Sequence, residues 1–216
     1  MIDKSRRVAS LTALFMNLPP STASSRRSIR NILCMGVVLG GLALSALAEP
    51  PKSLLPEFGT TGREIQPKAK AGYDIRGWLP KDWVDNSSWA PVSVMYSQLK
   101  DPPAEGVGAV RMEVMKVDAF NVQLTTKEGA RPYKQGTTYI LTGWVRSPTL
   151  SPIWVGFRQD EEPREFFSGN DLDVDTEWKR FSVEWTPDRD RAAWLIFNVQ
   201  KVGTVDLAGV VLEEKP

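Results

Sequence analysis

The sequence predicts an all-β protein, a β-sandwich of about eight antiparallel strands in two sheets. From Tyr73 onward apolar and polar residues alternate in short runs, and Pro, Gly and Asp turns separate the runs. No stretch repeats its apolar residues at helical spacing. With 42% hydrophobic and 25% charged residues among 216, the composition is that of a folded protein.

Residues 1–48 read as an export signal. Arg26, Arg27 and Arg30 form a positive n-region, an uncharged stretch runs from Ile32 to Leu47, and Ala46-Leu47-Ala48 has the small-x-small pattern of a cleavage site. Cleavage after Ala48 is expected, giving a secreted, periplasmic or cell-surface protein. The alternative is an uncleaved anchor, for which the stretch falls short of a span of about 20 residues. Cys34 lies within the apolar stretch and away from the cleavage site, which argues against a lipid anchor. Ser25-Arg26-Arg27-Ser28-Ile29 has the outline of a twin-arginine signal, interrupted by Arg30. Met16 is an alternative start.

Residues 49–72 carry Pro50, Pro51, Pro56 and Pro67 and no sustained hydrophobic period, and read as a linker or arm. Its part from Leu54 to Phe58 is apolar enough to lie along the domain. Residues 73–216 form the domain. Strands are expected at Val92–Tyr96, Ala109–Met115, Phe120–Thr125, Thr138–Arg146, Ile153–Arg158, Trp178–Trp185, Ala193–Gln200 and Val205–Val211. Asp101-Pro102-Pro103, Glu128-Gly129, Ser147-Pro148, the charged loop Gln159–Glu165 and Thr186-Pro187-Asp188 break the runs between them. Eight strands in a domain of this length is jelly-roll size.

Composition removes several chemistries. There is no histidine, so the commonest general base, nucleophile partner and zinc ligand are missing. A single cysteine rules out disulfide frameworks and thiolate metal sites. Loss of residues 1–48 takes six of the 27 basic residues and one of the 26 acidic ones, leaving a net charge of −4. An acidic module has no overall attraction for polyphosphate, which excludes nucleic acid as a partner. Membrane contact would come only through the signal segment, if uncleaved.

Alternation also assigns faces. In Thr138–Arg146, Tyr139, Leu141, Gly143 and Val145 share the core side, opposed by Ile140, Thr142, Trp144 and Arg146. Ile153, Val155 and Phe157 oppose Trp154, Gly156 and Arg158. Ala193, Leu195, Phe197 and Val199 oppose Trp194, Ile196, Asn198 and Gln200. Val110, Met112 and Val114 oppose Arg111 and Glu113. Trp78, Trp83, Trp178 and Trp185 are expected to be structural, at strand ends or in the core.

Several segments are suggestive in their order along residues 77–214. They are Gly77-Trp78-Leu79-Pro80-Lys81-Asp82-Trp83, Trp89 to Tyr96, Gly108-Ala109-Val110-Arg111-Met112, the run from Gly136 to Arg146, Glu177-Trp178-Lys179-Arg180-Phe181-Ser182-Val183, and Gly203-Thr204-Val205. Through them the chain resembles carbohydrate-binding modules of the family 4/9 type, galactose-binding-domain-like jelly rolls often appended to glycoside hydrolases. The resemblance implies that the second, fourth, fifth and seventh predicted strands share a sheet whose concave outer face is a glycan groove. The faces above would then put Arg111, Glu113, Thr142, Trp144, Arg146, Trp154, Arg158, Trp194, Asn198 and Gln200 in that groove. Indoles stack on the C–H faces of sugar rings, while amides and guanidiniums meet the hydroxyls. The three arginines would also suit an acidic or sulfated polysaccharide, or they could pair with Glu113 and neighbouring acids as a solvated ladder. The resemblance further implies a structural calcium near the last strand, but Ala208 and Gly209 stand at the usual acidic place, with Asp206 two residues early. Asp171, Asp173 and Asp175 alternate but lack the glycine and distal glutamate of an EF-hand loop, and read as a solvated loop.

Three functions compete. The first is a non-catalytic module binding a polysaccharide or oligosaccharide, working alone or beside a separate glycoside hydrolase or surface protein. The second is a protein-interaction or structural domain of a surface assembly. The third is a carboxylate glycosidase or lyase, whose best acids, Glu161, Glu162 and Glu165, crowd one loop.

Overall fold

Alternation along each strand decides which side meets the core. The computed structural model describes residues 52–65 and 72–215; the predicted export signal lies outside them. In chain order the strands are β1 (Gly62–Ile65), β2 (Ile75–Pro80), β3 (Trp83–Asp85), β4 (Val92–Gln98), β5 (Ala109–Val117), β6 (Val122–Thr126), β7 (Arg131–Tyr133), β8 (Tyr139–Arg146), β9 (Ile153–Gln159), β10 (Phe166–Leu172), β11 (Lys179–Trp185), β12 (Arg191–Val199) and β13 (Gly203–Glu214). The described residues contain no helix. In β8 the residues Tyr139, Leu141, Gly143 and Val145 are buried and the four between them half-buried, the period-2 pattern of a sheet with one face in the core.

Two sheets pack face to face. One has the order β1-β2-β4-β5-β13-β8-β11, the other β10-β9-β12-β6-β3, with β7 added on β12. All pairs are antiparallel except β2–β4. Val110, Met112, Val114, Leu141, Val145, Val205 and Leu207 from the first sheet meet Val122, Leu124, Val155, Phe157, Leu195, Phe197 and Val199 from the second. Each such side chain contributes about 1.5–3 kcal/mol on burial. Aromatic clusters close two regions of the core. Trp83 packs against Phe58 and Phe197, with ring centroids 4.8 and 6.3 Å apart. Trp185 stacks on Phe157 at 4.1 Å beside Tyr133 and Tyr139. Trp83 and Trp185 are thus structural, and Trp78 is half-buried against the same core.

Three expectations are corrected. The arm is not free of elements: it carries β1, paired with β2, while its part from Leu54 to Phe58 lies along the domain as expected, with Leu55 and Phe58 buried in the core. The Leu54 amide donates to the Leu212 carbonyl at 2.7 Å. There are more strands than eight, because β1, β2, β3, β7 and β10 show little alternation. β3 and β7 have three residues each, and β1 and β10 are sheet edges whose side chains need not be buried in turn. Finally, the four strands expected to share a sheet do not: β5 and β8 belong to the seven-stranded sheet, β9 and β12 to the six-stranded one.

Candidate functional site

That division splits the ten predicted residues between opposite faces of the sandwich. Arg111, Glu113, Thr142, Trp144 and Arg146 lie outward on the seven-stranded sheet. Trp154, Arg158, Trp194 and Asn198 lie outward on the six-stranded sheet, and Gln200 is exposed just beyond β12. The two groups do not form one groove.

The first face is closed on itself. Register places Asp206 of β13 between Arg111 of β5 and Arg146 of β8. Arg111 donates to its carboxylate through Nε and Nη2 at 2.8 and 2.9 Å, and Arg146 through Nε at 2.7 Å. Asp206 is fully buried, and a buried carboxylate is tolerated only when charges and hydrogen bonds compensate it in this way. Arg146 also donates to Asp101 at 2.9 Å, which holds that carboxyl below its usual range. Its guanidinium covers the Trp178 ring at 4.5 Å, and Arg180 covers Trp144 at 5.7 Å. Trp178 is therefore structural through a cation–π contact outside the core. The arginines here are committed to partners within the chain.

The second face is built differently. Register across it sets Asp171, Trp154, Asn198 and Gln123 in one row, Gly169, Gly156, Ile196 and Thr125 in the next, and Phe166, Arg158 and Trp194 in a third. The two glycines let the Trp154 indole lie down on the sheet. A β-carbon at Gly156 would fall 1.9 Å from the ring and one at Gly169 1.7 Å from it. Phe166, 40% exposed, stands edge-on to Trp154 at 4.9 Å. Trp194 is fixed by its Nε1–H, which donates to Asp160 at 2.7 Å, and Arg158 lies over its ring at 5.6 Å. Burial and the nearby Arg164 push the Arg158 pKa down, and its buried Nε has no partner among the described residues. Asn198, 3% exposed, has an amide oxygen that is likewise buried and unpartnered. Such groups are costly unless something satisfies them.

Sequence reasoning found Trp154, Arg158, Trp194 and Asn198 through alternation. It missed Phe166, on an edge strand, and Gln123, whose neighbours in β6 are all buried. The glycine at 156, next to Trp154 on the same side of β9, was the one signal that an indole could lie flat.

The calcium that the resemblance implies does not fit these residues. The Asp206 carboxylate is taken by two guanidiniums, and no three His, Cys, Asp or Glu side chains gather as a metal-ligand set among the described residues. Asp173 pairs with Lys179, and Asp175 accepts from the Thr176 amide at 2.6 Å. Glu161, Glu162 and Glu165 lie exposed on the turn between β9 and β10, with Glu162 paired to Arg164 at 3.0 Å.

No family model and no curated protein matches the chain. Solved structures similar to it include carbohydrate-binding modules. A CBM4 structure has 16% identity and a TM-score of 0.48, over 73% of this chain and 97% of that one. The N-terminal cellulose-binding domain of Cellulomonas fimi β-1,4-glucanase C has 16% identity and a TM-score of 0.42, over 63% and 91%. The CBM22-1–GH10 modules of Clostridium thermocellum xylanase 10B have 11% identity and a TM-score of 0.46, over 74% and 29%.

Proposed function

We propose that the domain is a non-catalytic carbohydrate-binding module that lays a glycan on the outer face of its six-stranded sheet. The observation that carries this reading is the Trp154 indole spread over Gly156 and Gly169, beside the unpartnered Asn198 amide oxygen. A flat aromatic ring takes the C–H face of a pyranose, and a desolvated amide oxygen takes a hydroxyl proton. Phe166 and Trp194 widen the platform, and Arg158 offers a free donor to ring or hydroxyl oxygens. On the opposite face the buried Asp206 carboxylate and the two arginines bonded to it find their partners within the chain, whereas Arg158 Nε and the Asn198 oxygen do not.

Affinity electrophoresis of the full chain in gels containing barley β-glucan, xylan, laminarin, galactomannan or alginate tests the reading. One of these polymers is expected to retard the wild type and Trp144→Ala equally. Trp154→Ala and Trp194→Ala, folded by circular dichroism, should lose about tenfold or more in affinity, the size of one lost aromatic contact. Retardation abolished by Trp144→Ala alone would move the site to the other sheet. No retardation by any polymer would favour a protein partner on this face.

A further inference from the structure

Beyond Trp154 and Asn198 the same row continues through Gln123 to Asn86, which follows β3. The Asn86 amide donates to the Gln123 carbonyl at 2.8 Å, and its Nδ2 donates to Gln123 Oε1 at 3.0 Å. Three residues past Asn86 and three before Gln123, outside β3 and β6, stands a second aromatic pair. Trp89 and Phe120 are 41% and 65% exposed, with ring centroids 4.9 Å apart and planes at 62°. The Trp89 indole N–H is tied to the Asn86 carbonyl at 2.7 Å, so the pair is anchored to the row itself. Phe120 holds φ at +66°, a left-handed conformation that a bulky side chain rarely adopts. Next to it, the Asn121 amide oxygen is buried without a partner. Two exposed rings, one on a strained backbone, beside an orphaned polar atom have no account in the packing of the core.

We infer that Trp89 and Phe120 form a second sugar subsite, so that the face holds a linear glycan along its length, across the strands. This rests on the reading of Trp154 as a sugar platform. Strands lie about 4.8 Å apart, which puts about 14 Å between Trp154 on β9 and Asn86 beyond β6. One ring cannot cover that span. A chain laid across the strands towards that pair meets aromatic rings near each end, and passes over Asn86 and over the amides of Asn198 and Gln123, which are 3% and 2% exposed. Hydroxyls along such a chain would satisfy the Asn198 and Asn121 oxygens.

The test compares the full chain with Trp89→Ala, Phe120→Gly and Trp154→Ala, by calorimetric titration with the disaccharide and the hexasaccharide of whichever of the five polymers retards it. Wild-type affinity should rise from disaccharide to hexasaccharide. In Trp89→Ala and Phe120→Gly that rise should shrink about tenfold, one aromatic contact. Phe120→Gly relieves the left-handed backbone, so its melting temperature should hold or rise while hexasaccharide affinity falls. A merely structural Phe120 would not give that split. Hexasaccharide binding unchanged in both variants but lost in Trp154→Ala overturns the second subsite alone. Binding unaffected by Trp154→Ala, or no binding, overturns the platform reading together with it.

Discussion

At Gly156 and Gly169 the places a β-carbon would take are already held by the Trp154 ring. For Gly169 the three nearest atoms are all from that indole, whereas for Gly156 a backbone oxygen, of Ser168, is also 2.4 Å away. Gly169→Ala is therefore the cleaner probe, because on an exposed edge strand the atoms nearest the added carbon all belong to the ring it pushes off the sheet. It should lower glycan affinity nearly as far as Trp154→Ala does, while the melting temperature changes by no more than a few degrees. Affinity electrophoresis and a thermal melt check this together; unchanged affinity would mean that the flat pose of the ring is not used. Alternation in the sequence was enough to put Trp154, Arg158, Trp194 and Asn198 on the outside of their strands. It could not tell their outside from that of Arg111, Trp144 and Arg146. Period 2 separates core from surface within one strand, but which surface it is depends on pairing partners far away in sequence, as with β13 set between β5 and β8.

Among the elements, β3 is the shortest with a central task, because it brings Trp83 to the core and Asp85 to the other sheet. The Asp85 carboxylate accepts from the Tyr96 hydroxyl of β4, and from the Ser87 amide and hydroxyl at 2.7 and 3.0 Å. Burial pushes its carboxyl above the usual range, more than these hydrogen bonds pull it down. A raised folded-state pKa means that the proton is held more tightly in the folded protein. The contribution to stability is therefore complete at acid pH, below the ordinary carboxylate value, and is lost as pH rises through the raised value. Thermal melts between about pH 4 and 7 should show wild type losing ground to Asp85→Asn as pH rises. Parallel pH curves would contradict this. Three of the elements that the sequence concealed share one cause. β1 and β10 are edges, and β7, with Pro132 at its centre, is an add-on to β12, so none needed the buried alternation that betrays a central strand. The central strands β5, β8, β9 and β12 were legible because each has one face in the core.

Taken whole, the molecule is a sandwich with two unlike outer surfaces. On the seven-stranded sheet charge and aromatic groups satisfy one another around the buried Asp206. On the six-stranded sheet Phe166 is exposed beside the half-buried Trp154 and Trp194, and polar atoms of Arg158 and Asn198 lack partners. The eight tryptophans make the central claim directly observable, because each indole Nε1–H gives its own signal in a 15N–1H correlation spectrum. Titration with the hexasaccharide of the retarding polymer should shift the signals of Trp154 and Trp194. It should leave Trp144 and Trp178 on the opposite side of the sandwich, and the buried Trp83 and Trp185, in place. Shifts at Trp144 and Trp178 with Trp154 and Trp194 still would contradict the account.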